Sequence, residues 1–311
     1  MALYLITGGA GFIGSHLADS LLAGGHQVRV LDDFSTGRME NLDQRCQVLR
    51  GDILDPAALR RAMAGAAGCF HLAAIASVAR ANEAWLATHK VNQCGSVAVL
   101  DAACEAGRIP VVYASSAAIY GDVSGRAARE DMAPAPLTAY GADKLGSELH
   151  ARVGWGVHRL PTFGLRLFNV YGPRQDPNSP YSGVISIFAR LVAGGSPVCV
   201  HGDGAQLRDF VYVQDVVAHF RAAMQRLEAA QGCDVVNVCT GRGTTVLDLV
   251  GILGHIHGRL PRVTHGPARP GDIRQSLGDP ARAIASLGVA ARTTLHDGLS
   301  TTLTSLAPQA A

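Results

Sequence analysis

The segment Thr7-Gly-Gly-Ala-Gly-Phe-Ile-Gly-Ser15 decides how the chain folds, because it places glycines at positions 8, 11 and 14. Residues 3–7 are predicted as a first β-strand and residues 13–23 as an amphipathic helix, so the glycines occupy the turn between them. Glycine adopts the backbone angles of a tight turn at little cost. The amides that begin the following helix favour a negatively charged group. The segment therefore predicts a site for the pyrophosphate of a dinucleotide.

Further apolar runs alternate with helical stretches through the first half of the chain. Strands are predicted at residues 27–32, 46–50, 68–72 and 111–115. Continuous apolar runs are typical of parallel strands covered on both faces, and the alternation indicates a doubly wound parallel sheet. Residues 171–183 are rich in Pro, Gly and Asn, which is typical of a loop. We therefore predict a dinucleotide-binding domain over residues 1–170 and a smaller α/β substrate-binding lobe over residues 171–311, with segments such as 210–240 returning to the first domain.

Composition narrows the class of protein. The chain has 311 residues, of which 48% are hydrophobic and 17% charged, with a formal net charge of +2. This is a globular composition, and the charge does not favour nucleic acid as a partner. Seven cysteines form no C-x-x-C pair and no cluster with histidine, which indicates free thiols and no metal site. The sequence shows no signal peptide and no apolar run of the ~18 residues needed to span a membrane, so we expect a cytoplasmic protein.

Acidic residues follow two of the predicted strands. Asp32 ends the second strand about twenty residues after the glycine turn, where a carboxylate can accept hydrogen bonds from the adenosine ribose. The same carboxylate would repel a 2′-phosphate, which favours NAD over NADP. Asp33 fits a simple turn residue. Asp52, which follows a later strand, is placed to reach the adenine amino group.

Tyr140 and Lys144 are four residues apart, so both side chains lie on one face of a predicted helix. A neighbouring ammonium stabilises a phenolate and lowers the pKa of the tyrosine, which makes it a base near neutral pH. The alternative is an ordinary surface pair. Upstream, Ser116 follows an apolar strand and is placed either to bind a substrate hydroxyl or to cap the next turn.

Together these motifs resemble the extended short-chain dehydrogenases/reductases of the NAD-dependent epimerase/dehydratase kind, most of all bacterial UDP-glucose and UDP-N-acetylglucosamine 4-epimerases. The resemblance covers nearly the whole chain and rests on residues 7–14, 32–37, 51–53, 71–74, 115–121, 140–144, 166–174, 208–213 and 269–272. It implies a Rossmann fold, NAD as cofactor, a nucleotide-sugar substrate and a homodimer built from two helices of each subunit.

The resemblance also implies roles for individual residues. Tyr140 would remove the proton of the sugar 4-hydroxyl, Lys144 would tune it and bind the nicotinamide ribose, and Ser116 would share the proton network. The residues assigned to the NAD site are Gly8, Gly11, Phe12, Ile13, Gly14, Asp32, Asp33, Ser35, Thr36, Gly37, Asp52, Ile53, Leu72, Ala73, Ala74, Asn92, Ser115, Tyr140 and Lys144. Those assigned to the nucleotide sugar are Ser116, Asn169, Val184, Arg208, Arg269, Asp272 and Ser276. Arginine forks match the oxygens of a diphosphate.

The residues after Ser116 separate the subfamilies. Relatives that dehydrate sugars resemble Thr-Asp-Glu-Val-Tyr-Gly there, because removing water needs an extra acid and base. Relatives that epimerise and reduce GDP-sugars carry a cysteine at the second position after Ser116. Here the two positions are Ala117 and Ala118, which transfer no proton. The pattern favours 4-epimerisation, which needs only exchange of hydride with NAD and transfer of one proton.

Other positions bear on the substrate. Ser276 aligns with the residue that limits the sugar pocket in UDP-hexose 4-epimerases, and its small side chain leaves space for a 2-acetamido group. Leu167 departs from the pattern, because some glucose epimerases carry a tyrosine there near the cofactor. A uronate 4-epimerase, a dehydratase or a decarboxylase are the alternative enzymes. A non-catalytic NAD-sensing protein is the alternative outside enzymes.

Overall fold

The computed structural model describes residues 1–123, 125–176, 183–268 and 273–306. Its strands in chain order are β1 (Leu3–Thr7), β2 (Gln27–Asp32), β3 (Gln47–Arg50), β4 (Gly68–His71), β5 (Val111–Ser116), β6 (Thr162–Leu167), β7 (Asn169–Tyr171), β8 (Val198–His201), β9 (Leu207–Tyr212), β10 (Cys233–Val238), β11 (Gly243–Thr245), β12 (Val263–Gly266) and β13 (Gln275–Ser276). The α-helices are α1 (Phe12–Ala23), α2 (Pro56–Met63), α3 (Val78–Glu83), α4 (Trp85–His89), α5 (Gly95–Glu105), α6 (Ala139–His158), α7 (Val184–Ala193), α8 (Val213–Ala229), α9 (Val246–Ile256), α10 (Ala281–Leu287) and α11 (Leu295–Leu306). Short 3₁₀ turns cover Met39–Asn41 and Ala117–Tyr120, and a π-helical turn covers Lys90–Cys94.

Seven parallel strands form the large sheet in the order β3-β2-β1-β4-β5-β6-β10. The order runs outwards in both directions from the β1–β4 pair, which confirms the predicted doubly wound parallel sheet. In such sheets the ligand crevice lies at the carboxyl ends of the strands, where the order reverses. Here that point lies between β1 and β4.

The sequence-predicted elements agree with the structure to within one residue. The strand predicted at residues 27–32 has those bounds, the one at 46–50 begins at Gln47, and the one at 68–72 ends at His71. The first helix starts one residue earlier than predicted, at Phe12, because Gly11 is its extended N-cap residue.

Side chains of the large sheet alternate between two cores. Tyr4 and Ile6 of β1 belong to the core formed with α1 and α8. Leu5 between them belongs to the core formed with α2 and α5. The continuous apolar runs of the sequence are thus explained by helices on both faces of the sheet.

A smaller sheet is built around β9, which pairs with β7, β11 and β13, while β8 and β12 form a separate parallel pair. Helices α7, α9 and α11 pack on these strands around a core that includes Phe188, Leu249 and Leu299. Residues 213–238 lie on the large sheet, where α8 packs in the core with α1 and β10 pairs with β6. The division of the chain into two domains at residue 170 stays a prediction.

Candidate active site

Gly8 and Gly14 lie where no larger residue fits. Gly8 has a φ of +72°, and a Cβ there would be 2.6 Å from the amide nitrogen of Ala73. A Cβ on Gly14 would be 2.3 Å from the carbonyl oxygen of Gly8. Gly11 is the N-cap of α1, so no cap side chain covers the first amides of the helix. The turn thus leaves a bare helix N-terminus beside the β1–β4 crevice, which suits a diphosphate.

Asp32 ends β2 with a carboxylate that two backbone amides hold. Its Oδ2 accepts a hydrogen bond from the amide of Ala10 (2.9 Å), and its Oδ1 accepts one from the amide of Phe34 (2.9 Å). Burial raises the pKa of Asp32, and these hydrogen bonds oppose the rise. A Cβ on Gly37 would be 2.8 Å from Oδ1. The carboxylate therefore lies between the glycine turn and the loop after β2, as the predicted ribose contact requires.

The other acidic residues predicted for the cofactor form local turns. Oδ1 of Asp33 accepts hydrogen bonds from the amide (2.9 Å) and the hydroxyl (2.7 Å) of Ser35. Oδ1 of Asp52 accepts one from the amide two residues further along the chain (2.9 Å). Thr36 is exposed, whereas Ile53 is buried in the core with α2. These bonds order the loops after β2 and β3, at the same sheet edge as the glycine turn.

The loop after β4 runs close to the glycine turn and is held by Asn92. This residue is 1% exposed within the π-helical turn. Its Oδ1 accepts a hydrogen bond from the amide of Ile75 (2.8 Å), and its Nδ2 donates to the carbonyl of Ile75 (3.1 Å). Asn92 thus shapes the predicted pocket through this loop. The residues of this loop and of the start of α1 that are predicted for the cofactor are half-buried, namely Leu72, Ala73, Ala74, Phe12 and Ile13.

The structure brings the three predicted catalytic residues together. The phenol of Tyr140 lies near the hydroxyl of Ser116, close enough for that hydroxyl to lower the pKa of the tyrosine. Nζ of Lys144 lies 5.8 Å from the centroid of the Tyr140 ring and donates a hydrogen bond to the carbonyl of Ala114 (2.9 Å). Helix α6 supplies the tyrosine and the lysine, and the end of β5 supplies the serine.

Burial changes the ionisation of both helix residues. The side chain of Lys144 is enclosed, and burial lowers its pKa to about 8, against the opposing charge of Asp143. Burial raises the pKa of Tyr140, and the hydrogen bond from Ser116 opposes that rise. The Tyr–Lys spacing predicts a lowered pKa for Tyr140. That prediction is wrong for the protein alone, because the loss of solvation raises the pKa of Tyr140 more than the contact with Ser116 lowers it.

Ala117 and Ala118 follow Ser116 in the 3₁₀ turn. The amide of Ala118 donates a hydrogen bond to Oγ of Ser116 (3.1 Å). A Cβ on Gly141 would be 2.6 Å from the carbonyl oxygen of Ala118, so α6 packs directly on this turn. The two alanine methyl groups next to Ser116 supply neither an acid nor a base.

The small sheet brings together residues predicted for the substrate. Arg208 of β9 is in register with Ser276 of β13, and Asn169 begins β7, which pairs with the later part of β9. Arg208 is half-buried. The remaining predicted substrate residues are Val184, which begins α7, and Arg269 and Asp272, which lie outside the described residues.

A buried hydrogen-bond chain beside the glycine turn has no counterpart among the predicted roles. Nδ1 of His71 bonds the hydroxyl of Thr7 (2.7 Å), and its Nε2 bonds the hydroxyl of Ser96 (3.0 Å). Ser96 donates its own proton to the carbonyl of Asn92 (2.5 Å), so Nε2 of His71 carries the proton and Nδ1 accepts. Burial, aided by the charge of Lys144, lowers the pKa of His71 to about 3. The signal in the sequence that could reveal this chain of hydrogen bonds is the presence of polar residues, Thr7 and His71, at the ends of two apolar strands.

Ser115 and Glu148 form a second unpredicted contact. The hydroxyl of Ser115 donates to Oε1 of Glu148 (2.5 Å), and the assignment of Ser115 to the cofactor site stays a prediction. Glu148 lies four residues beyond Lys144 on the same face of α6, which is the signal that the sequence offers for it.

Two classes of feature are not found in the part of the chain that the structure describes. Its helices are each too short or too polar to cross a bilayer. Within the same residues, no three His, Cys, Asp or Glu side chains converge as metal ligands would.

The chain is similar to known proteins over almost its full length. The model of the NAD dependent epimerase/dehydratase family matches residues 4–239. A UDP-glucose 4-epimerase of Mycolicibacterium smegmatis is 36% identical over 307 residues, which cover 96% of each chain. The crystal structure of a UDP-glucose 4-epimerase of Thermotoga maritima with UDP-glucose is 36% identical, covers 97% of this chain and 98% of that one, and has a TM-score of 0.93. A UDP-N-acetylglucosamine 4-epimerase of Methanobrevibacter ruminantium in complex with UDP-N-acetylmuramic acid is 30% identical, with 97% of both chains covered and a TM-score of 0.92.

Relatives named for other reactions are similar too. A UDP-N-acetyl-alpha-D-glucosaminuronate decarboxylase of Bacillus cytotoxicus and a dTDP-glucose 4,6-dehydratase of an Actinoplanes species are each 32% identical. The family match includes the glycine turn, Ser116, Tyr140 and Lys144. The chain belongs to the NAD-dependent epimerase/dehydratase family.

Proposed function

We propose that this protein is a UDP-hexose 4-epimerase that interconverts UDP-glucose and UDP-galactose and also accepts UDP-N-acetylglucosamine and UDP-N-acetylgalactosamine. The observation that carries the proposal is the grouping of Tyr140, Lys144 and Ser116 at the end of β5, with two alanines as the next residues after Ser116. One proton-transferring group suffices for 4-epimerisation, whereas dehydration needs a further acid and base. The similar proteins named UDP-glucose 4-epimerase support this choice.

The glycine turn fits the dinucleotide that the family requires. The space that a Cβ would fill at Gly8 and Gly14 and the bare N-terminus of α1 accommodate a diphosphate. Asp32 at the end of β2 is placed for the ribose hydroxyls and disfavours a 2′-phosphate, so NAD is preferred to NADP. NAD bound there supplies the hydride acceptor and donor needed for oxidation and reduction at sugar C4.

The chain's own residues move and stabilise one proton. As the phenolate, Tyr140 takes the proton of the 4-hydroxyl from one epimer, and as the neutral phenol it returns that proton to the other. The hydroxyl of Ser116 stabilises the negative charge that the phenolate carries before it takes the proton. The ammonium of Lys144, fixed by the carbonyl of Ala114, stabilises the same charge.

The small sheet anchors the nucleotide half of the substrate. Arg208 is placed to pair with the diphosphate, because a guanidinium matches phosphate oxygens. Ser276 lies beside it in register, and its small side chain leaves space for a 2-acetamido group. Firm binding of the nucleotide with a loosely held hexose lets the sugar present either face to Tyr140.

Purified protein incubated separately with UDP-glucose and UDP-N-acetylglucosamine tests the proposal by chromatography of the products. We expect the galacto epimer from each. Tyr140→Phe should retain bound NAD and lower kcat by about 10³-fold or more, the range of a lost proton-transfer group. A 4-keto-6-deoxy product, release of CO₂, or undiminished turnover by Tyr140→Phe would contradict the proposal.

The substrate range is tested separately with Ser276→Tyr. The larger side chain should abolish conversion of UDP-N-acetylglucosamine and leave UDP-glucose as a substrate. Equal conversion of both sugars by this variant would remove Ser276 from its proposed role.

A further inference from the structure

A buried ion pair lies behind the end of β5, outside the proton transfer described above. Nε of Arg166 donates to Oε1 of Glu148 (2.9 Å), and Nη2 of Arg166 donates to Oε2 (2.7 Å). The two side chains are 5% and 8% exposed. Burying two charges is costly, and apolar residues of similar size are often at least as stabilising. The pair is therefore better explained by the geometry it imposes than by stability.

The ion pair makes hydrogen bonds to residues on both sides of Ser116 in the chain, Ser115 and Tyr120. On one side, the hydroxyl of Ser115 donates to Oε1 of Glu148 (2.5 Å). On the other side, Nη1 of Arg166 donates to the phenol oxygen of Tyr120 (2.7 Å), the last residue of the 3₁₀ turn after Ser116. The guanidinium carbon also lies 4.9 Å from the centroid of the Tyr120 ring.

Tyr120 is fixed from the opposite side as well. Its phenol donates to Oδ1 of Asn237 on β10 (2.6 Å), and Nδ2 of Asn237 donates to the carbonyl of Ala128 (2.9 Å). The backbone amide of Asn237 donates to Oε1 of Glu130 (2.7 Å). Because these groups are buried, a shift of the 3₁₀ turn would break hydrogen bonds that water cannot replace.

The 3₁₀ turn in turn sets the direction of the Ser116 hydroxyl. The amide of Ala118 donates to Oγ of Ser116 (3.1 Å), and the same hydroxyl lies close enough to Tyr140 to lower its pKa. The bond from Ala118 uses one acceptor position of Ser116, and the hydroxyl proton is left for Tyr140. A small rotation of the turn would lose this alignment without moving Tyr140 or Lys144.

We propose that Glu148, Arg166 and Tyr120 form a positioning network that keeps the hydroxyl of Ser116 in line with Tyr140. The inference rests on the proposed role of Tyr140 as the proton-transferring residue. The network is enclosed by β5, β6, β10 and α6, and it acts on the reacting group only through Ser116 and the turn.

Tyr120→Phe tests the network, because it removes one hydroxyl and keeps the ring. The matched control is Tyr4→Phe, which removes the hydroxyl of a buried tyrosine of β1 that bonds Glu228 outside the network. In holoenzyme assays we expect kcat of Tyr120→Phe to fall about tenfold with KM for the nucleotide sugar changed less than about twofold. Tyr4→Phe should keep the wild-type kcat. A raised KM with unchanged kcat in Tyr120→Phe would overturn the proposal.

A second readout needs no turnover. The phenolate absorbance of each protein is titrated, and the titration of the same protein carrying Tyr140→Phe is subtracted to isolate Tyr140. The hydroxyl of Ser116 lowers the pKa of Tyr140, so Tyr120→Phe should raise that pKa measurably. Tyr4→Phe should leave it unchanged.

Glu148→Gln keeps the side-chain shape and should shift the Tyr140 titration in the same direction. No shift in Tyr120→Phe and Glu148→Gln, or an equal shift in Tyr4→Phe, would overturn the proposal. Absence of epimerisation by the wild type would contradict the proposed function alone, because the titration reports on Tyr140 without substrate.

Discussion

At the scale of single residues, Lys144 shows the cost of placing a charge in the interior. Burial favours the neutral amine and lowers the pKa of this side chain from 10.5 to about 8. At neutral pH the ammonium is retained, supported by the carbonyl of Ala114. The protein thus gives up stability to hold a positive charge beside the Tyr140 ring.

Lys144→Met is expected to raise the free energy of unfolding at pH 7 while it abolishes turnover. Between pH 8 and 10.5 the unfolded chain binds more protons at this position than the folded chain, so wild-type stability rises with pH across that window. A shift of this size corresponds to about 3 kcal/mol at most. Urea unfolding at pH 7 and pH 9.5 should show that the free energy of unfolding of the variant exceeds that of the wild type by less at the higher pH. A variant less stable than the wild type at pH 7 would contradict this account.

At the scale of secondary-structure elements, the contact between α6 and the 3₁₀ turn depends on the missing Cβ of Gly141. The space there is already filled by the carbonyl of Ala118. The helix can therefore bring Tyr140 against Ser116 only while this position is glycine. Gly156 of the same helix has open space around it.

Gly141→Ala should displace the 3₁₀ turn and lower kcat by about tenfold or more, with a loss of about 1–3 kcal/mol of stability from overpacking. Gly156→Ala is the matched control and should stabilise the protein by about 0.5–1 kcal/mol with unchanged activity, because alanine favours the helix. Thermal unfolding and initial rates measure both effects. Similar behaviour of the two variants would show that the close contact does not matter.

Local patterns in the sequence predict elements well and long-range contacts poorly. The strand at Gln27–Asp32 and the facing pair Tyr140 and Lys144 depend on neighbours in the chain, so spacing identifies them. From the sequence alone, Glu148 would be taken for a surface residue of α6, because its partner Arg166 lies on β6. The side chain of Asn92 bonds the backbone of Ile75, seventeen residues away in the chain. The direction of the Tyr140 pKa shift depends on burial, which spacing does not encode.

At the scale of the whole molecule, α6 presents an apolar stripe to solvent. Leu149, Val153 and Val157 follow at four-residue spacing and are 49%, 53% and 70% exposed. Residues at this spacing lie on one helix face, and exposed apolar patches commonly mark a protein contact. The stripe supports the homodimer that the family resemblance predicts.

Light scattering after size exclusion should give a mass of about twice 32.4 kDa for the wild type. Val153→Glu should shift the protein to the monomer, because a charge would be buried at the centre of the stripe. Leu260→Glu, at a position 73% exposed between α9 and β12, is the control and should remain dimeric. A monomeric wild type would refute the prediction.

The path of the chain between its two sheets limits how the molecule can move. Among the described residues, the backbone passes from one sheet to the other after β6, after β9 and after β10, and it returns to the core of the large sheet at α10 before α11 packs on the small sheet. Two parts joined by a single connection can swing on it as a hinge, whereas repeated connections restrict such a motion. For the proposed epimerisation we therefore expect the sugar, and not the small sheet, to reorient between oxidation and reduction. A different substrate range would then be obtained by changing side chains around the sugar and not by changing the path of the backbone.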